Sequence, residues 1–313
     1  MIIHNYKIGT SSFQFYIFNY TFKNMNYPPS ELVLDAKGQV YHLGLLPEHL
    51  AETVILVGDQ DRVGLISAFF EEVDHRSQHR EFTCHTGTYK GKRISVLSTG
   101  IGTDNIDICI NELDALVNID LQTRTNKPST TSLRLVRIGT CGILQPEIPV
   151  HSYILSSHAY GLDNVAHFYP IEFSVEEQQI ASALTHHLQF PSTIQPYCVE
   201  ASQSLTELLE SELTHKGITV TSSGFYGPQG RSLRLGLRTP EINEQLTDFR
   251  SGDLKVMNFE MESSALFALG KAMGHECTTI CLGVANRPNM QFSKGYDKEM
   301  DGLILYVLDK LTN

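Results

Sequence analysis

A chain of 313 residues with 41% hydrophobic and 19% charged residues has an ordinary globular balance and is long enough to bury a sizeable core. Its net charge of −11 argues against general nucleic-acid binding, which needs a basic surface, yet a few local arginines can still hold a small anion. No apolar run is long enough to cross a bilayer, and six scattered cysteines (84, 109, 141, 198, 277, 281) without a C-x-x-C pair read as buried thiols of a reducing, cytoplasmic compartment.

The first 25 residues, MIIHNYKIGTSSFQFYIFNYTFKNM, are aromatic but broken by polar residues, with no apolar h-region and no small-residue cleavage site. Residues 1–30 are therefore expected to be a disordered tail or the product of an upstream start, with Met25 as the natural start, and 31–313 a single domain. From residue 53, strand and helix patterns alternate. TVILVG (53–58) is a β-branched run ending in glycine, a buried strand, and DRVGLISAFFEEV (61–73) follows as an amphipathic helix. Residues 80–100 read as two strands about a Lys90-Gly91 turn. DNIDICINELDALV (104–117) predicts a helix with Asp104 as its cap, and the polar, proline-bearing 118–132 a surface loop. LRLVRIGT (133–140) and HSYILSS read as strands, 174–188 as a helix and ITVTSSG (218–224) as a strand. Then come a helix over 239–251, the strand LKVMNFE (254–260), a helix toward 274, a central strand over 276–287 and a closing helix. The alternation predicts an α/β sandwich with a mixed sheet and helices on both faces.

In such folds ligands sit at the carboxyl ends of strands. The strand ends here carry Gly58-Asp59 with Arg62, Thr99-Gly100-Ile101-Gly102, Arg137-Ile138-Gly139-Thr140 and Asn286-Arg287. Arginine forks, close-approach glycines and threonine hydroxyls together are phosphate chemistry. A dinucleotide site is excluded, because Asn105 stands where G-x-G-x-x-G needs its third glycine. Glu260 and Glu262 bracket Met261 just where a helix should begin. Two readings of this pair stand side by side: acceptors for a ligand's hydroxyls, or acids that favour a helix N-terminus electrostatically.

YHLGL (41–45), VGDQDRV (57–63), HREF (79–82), STGIG (98–102), RIGTCG (137–142), FYGPQGR (225–231), NFEMES (258–263) and ANR (285–287) occur in this order. In combination they resemble the nucleoside phosphorylase family, on its uridine phosphorylase side, from about residue 41 to the C-terminus. The resemblance implies a three-layer α/β/α sandwich whose central mixed sheet is partly barrel-like. It also implies a pentosyltransferase that cleaves uridine reversibly with inorganic phosphate as co-substrate, with no cofactor required.

The motif matches imply roles. Gly58, Arg62, Arg80, Arg137 and Thr140 would bind phosphate; His42, Glu260, Met261 and Glu262 the ribose; Phe225, Gln229, Arg231, Cys141, Gly142 and Arg287 the base. Arg62, Arg137, Gln229 and Arg231 would carry the catalysis. His42 and Arg80 would act across the interface of a homo-oligomer, a dimer or a trimer of dimers. A monovalent cation such as K+ would sit between subunits near Glu81, Ile101 and Asn105. No nucleic acid or membrane is implied as partner.

The chain departs from the family pattern in places. Thr103 replaces a second glycine after Gly102, Cys141 a common threonine, and 118–132 looks like an insertion. The aspartate that serves purine phosphorylases is missing from VANRPN. The rival readings are a purine or thiomethyl-nucleoside phosphorylase or nucleosidase, and a non-catalytic nucleoside-binding protein.

Overall fold

The structure is a computed structural model and describes residues 26–188, 190–191 and 193–313. Residues 1–25, most of the stretch expected to be a tail or an upstream start, lie outside the described residues; Tyr27 donates its N–H to the Arg124 carbonyl at 2.8 Å.

The apolar run of β1 (Thr53–Val57) buries four successive residues, as a strand covered on both faces must. After α1 (Gln60–Ser67) the chain forms the antiparallel strands β2 (Glu72–His79), β3 (Phe82–Tyr89) and β4 (Lys92–Ser98). The helix expected over 61–73 therefore stops at Ser67. The sequence hid β2 because it is an edge strand of mostly polar residues, whose buried face is only half covered.

Helix α2 (Thr103–Asn118) is the one expected at 104–117, but its cap is Gly102 rather than Asp104, and no local side chain caps it. The expected surface loop holds a small antiparallel pair, β5 (Ile119–Asp120) and β6 (Thr125–Asn126). Lys127 reaches back to the Leu116 and Val117 carbonyls at the end of α2.

Strands β7 (Arg134–Ile143) and β8 (Tyr153–Gly161) precede α3 (Val175–Leu188). Next come β9 (Tyr197–Glu200) and α4 (Gln203–Leu209), which the sequence pattern did not reveal, and β10 (Thr214–Thr221). The C-terminal part runs through α5 (Ile242–Asp248), β11 (Arg250–Ser251), β12 (Leu254–Glu260), α6 (Ser263–Met273), β13 (Glu276–Asn286), β14 (Gln291–Phe292) and α7 (Asp297–Thr312).

Apart from the β5–β6 pair, the strands form one mixed sheet. β7 pairs in parallel with β1 and β13, β13 runs antiparallel to β8, and β8–β10–β12 are parallel. β12 then pairs back antiparallel on β7 through Asn258 and Phe259, closing five strands into a barrel-like ring. α2 and α6 pack in one core cluster, while α1, α4 and α7 pack in another on the other side of β1 and β7. All six cysteines are buried and free. No helix among the described residues is long and apolar enough to cross a membrane.

Candidate active site

One cavity of about 670 Å³ opens where β1, β4, β12 and β13 end and β7 passes beneath. It gathers residues from every sequence motif quoted above except YHLGL. Strand ends meet there because parallel strands of a mixed sheet all point their carboxyl ends to one side.

Its cationic end is built by Gly58, Arg62, Arg137 and Thr140. Gly58 lies close against the chain after β4: a Cβ there would stand 3.4 Å from the Gly100 carbonyl. Arg62 is half-buried and donates weakly to the Ile138 carbonyl at 3.4 Å. Burial, and then repulsion from Arg137, lower its pKa. Two guanidiniums held this close in a partly dry site favour an anion beside them. Arg137 is 4% exposed. Burial alone would lower its pKa, but the attraction of Glu262, then Glu260, outweighs that and the net shift is upward. Gly139 leaves room for this arginine, since a Cβ there would overlap its guanidinium.

The two glutamates at the β12–α6 junction do different work. Glu260 accepts from the Thr221 hydroxyl at 2.5 Å, the Glu262 N–H at 2.9 Å and the Ser263 N–H at 2.9 Å. It thereby caps the first turn of α6, and burial raises its pKa. Glu262 Oε2 pairs with Arg137 Nη2, while Glu260 Oε2 lies 3.5 Å from Arg137 Nη1. Glu262 Oε1 accepts the Gly102 N–H at 2.8 Å, at the start of α2. The helix-terminus reading holds for Glu260, which caps α6, and Glu260, Met261 and Glu262 all line the cavity. A carboxylate oxygen has two acceptor positions, so Glu262 keeps capacity for hydroxyl donors.

The opposite end is aromatic and polar. Pro228 opens a single turn over Gly227–Gln229, and Gly230 closes it at φ +64°, a conformation suited to glycine. Arg231 Nη1 donates to the Phe225 carbonyl at 2.6 Å and to the Gln229 side-chain oxygen. Its guanidinium stacks 3.7 Å from the Phe225 ring centre. Gln229 is buried, and with its oxygen engaged its amide NH₂ remains a donor. Burial, then the like charge of Arg287, push Arg231 down to about 10, so it stays charged at neutral pH.

Arg287 does not line the cavity. It stands behind Gly142 and donates to the Gln229 and Gly230 carbonyls at 3.2 and 3.3 Å, fixing the loop to β13. Cys141 and Gly142 form the wall, and burial pushes the Cys141 thiol well up, into an un-ionised form.

His42 and Arg80 lie outside the cavity. His42 Nδ1 is 2.6 Å from Glu112 Oε1, and Arg80 lies over the Tyr41 ring at 5.5 Å. His79 Nδ1 lies 2.9 Å from the His42 carbonyl, so these side chains share one surface. Gln60 joins that surface to the cavity by donating to the Arg80 carbonyl at 2.8 Å. Glu81, Ile101 and Asn105 gather at one edge of the cavity around Gly100.

The sequence did not single out Gln60, Phe259, Val284, Ala285 or Phe292 as lining residues. Gln60 lies within a quoted motif, two residues before Arg62, and could have been found. Phe292 sits in a two-residue strand within a polar, glycine-bearing stretch and gives no local signal.

The Phosphorylase superfamily model matches residues 52–299. The uridine phosphorylase of Thermococcus kodakarensis is 32% identical over 265 residues, covering 84% of this chain and 83% of that protein. The uridine phosphorylase of Escherichia coli is 30% identical over 261 residues, covering 82% and 89%. A crystal structure of a Trypanosoma brucei nucleoside phosphorylase, described as showing uridine phosphorylase activity, superposes with a TM-score of 0.83 at 29% identity, covering 90% of this chain and 99% of that one. With this agreement in sequence and fold, the chain belongs to the phosphorylase superfamily.

Proposed function

We propose that the chain is a uridine phosphorylase: phosphate plus uridine gives uracil plus ribose 1-phosphate, reversibly. The observation that carries the reading is the three-part cavity. Two guanidiniums, Arg62 and Arg137, face a carboxylate, Glu262, with the Gln229–Arg231 pair at the far end.

A phosphate oxygen attacks the anomeric carbon as the bond from that carbon to N1 of uracil breaks, and the bonding pair leaves with the base. The sugar gains oxocarbenium character in between. Arg62, Arg137, Gly58 and Thr140 hold the nucleophile and remove much of the entropic barrier to encounter. Glu262 and Met261 hold the ribose, Glu262 accepting from its vicinal hydroxyls. Gln229 and Arg231 donate to the developing uracil anion, and Phe225 packs on base and sugar. One such preorganised donor is worth on the order of 10²-fold in rate. Proton return to the base follows from solvent.

The active unit is a cytoplasmic homo-oligomer in which a neighbouring subunit supplies Arg80 to the phosphate and His42 to the ribose. The support is their place on one surface just outside the cavity. A monovalent cation at Glu81, Ile101 and Asn105 would lie at the same edge. A purine reading is disfavoured because the segment after β13, RPN, carries no acid to protonate the base.

The test is a panel of uridine, 2′-deoxyuridine, thymidine, inosine and a thiomethyl nucleoside, each with and without orthophosphate, read by base release. Release from uridine only with phosphate is expected. Release from a purine substrate in preference, or without phosphate, overturns the reading.

A further inference from the structure

We propose that Gly102 is a positioning residue for the ribose-binding carboxylate, and that its backbone conformation is a determinant of selectivity for ribonucleosides. The inference rests on the uridine reading above. Gly102 has φ 98° and ψ 162°, a region open essentially to glycine alone. In that conformation its N–H meets Glu262 Oε1 at 2.8 Å, across 160 positions of sequence. The other oxygen of Glu262 is held by Arg137. Two donors, one within β7 and one at the start of α2, thus fix both oxygens, and with them the plane of the carboxylate.

The same contact closes α2. This helix of 16 residues has no side-chain cap of its own, and Glu262 supplies an acceptor at its N-terminus. One hydrogen bond thus serves both the helix end and the placement of the carboxylate.

The geometry allows a clean test. A Cβ on Gly102 would meet nothing within 4 Å, so an alanine acts through the backbone alone. Gly91, at the β3–β4 turn, also has positive φ (73°) and open space for a Cβ, but lies outside the cavity. It serves as a control for strain as such.

The experiment measures kcat/KM for uridine and for 2′-deoxyuridine with phosphate in wild type, Gly102→Ala and Gly91→Ala. In Gly102→Ala the uridine to deoxyuridine ratio is expected to fall about ten-fold, the order of a lost hydrogen bond to a charged group. In Gly91→Ala it is expected to hold. A third protein carries glycolic acid at position 102, replacing the amide with an ester. It removes the donor while keeping glycine's freedom, and the same fall in ratio is expected.

Equal losses on both substrates, or an unchanged ratio in the ester protein, overturn the proposal. If the alanine variant does not fold, the ester protein decides alone. A wild type that does not cleave uridine with phosphate instead overturns the uridine reading, and this inference with it.

Discussion

Arg137 and Glu262 form a buried ion pair at the point where the proposed nucleophile and sugar meet. Such a pair is poor evidence of net stability, but removing one partner leaves a buried charge uncompensated, typically a loss of about 3–5 kcal/mol. Arg137→Ala should therefore unfold well below the wild type as well as lose activity. Glu260 gives that loss a sign with pH. Burial raises its folded pKa, and an acid with a raised folded pKa destabilises once ionised. The penalty is absent below the unfolded pKa and grows between it and the raised folded one. Because Arg137 holds that folded value down, its removal raises the value further and enlarges the penalty. The stability gap between Arg137→Ala and wild type should thus shrink as pH falls toward the usual carboxylate range; thermal melts across pH would show it, and a gap that widens on acidification contradicts the assignment. At the other end of the cavity, Gln229→Ala and Arg231→Ala should each lose at least about ten-fold in kcat/KM for uridine with little change in melting temperature. Unchanged turnover in both would remove the base-reading role.

At the scale of elements, α6 presents Glu262 and is braced from behind by Glu177. This side chain is 1% exposed. It makes a capping box with Ser174 at the start of α3, accepting the Ser174 N–H at 2.6 Å while the Ser174 hydroxyl accepts the Glu177 N–H at 3.1 Å. It also accepts from the Glu200 N–H at 2.8 Å and from Lys271 of α6 at 2.7 Å. Burial alone would raise its pKa, but these donors outweigh it and the net shift is downward. Its contribution to stability is present above the usual glutamate pKa and is lost as pH falls through the depressed folded value. Glu177→Ala should cost about 2–3 kcal/mol in equilibrium unfolding near neutral pH, with the difference from wild type narrowing in acid. An unshifted unfolding midpoint would contradict this bracing.

Elements with a strong local signal were readable from the chain. The run of β1, the whole of β12 and the spacing of α2 and α6 declared themselves. The polar edge strand β2 did not, because it carries no apolar run, nor did the short β9 and α4, whose identity comes from partners distant in sequence. The cap of α2 shows the same limit: Asp104 was the local candidate, but Glu262 meets the free N–H from far along the chain. The cavity motifs could be quoted in advance; the contact between Gly102 and Glu262 could not.

At the scale of the whole molecule, the cavity of one chain lacks the His42 and Arg80 side chains, which lie on the adjoining surface. If a neighbour completes the site, two individually inactive chains should complement. Arg80→Ala and Glu262→Ala proteins, mixed and reassociated, should recover activity that neither shows alone, because one of the hybrid's sites then has every group intact. Failure to recover activity in verified hybrids would place Arg80 in its own chain's site. The central claim is that the gathered guanidiniums activate phosphate, rather than water, against the sugar. Phosphorus NMR of the protein with uridine and orthophosphate tests it most directly. The account predicts ribose 1-phosphate appearing in equal amount to uracil, with no free ribose; uracil released alongside free ribose and unchanged orthophosphate would contradict it.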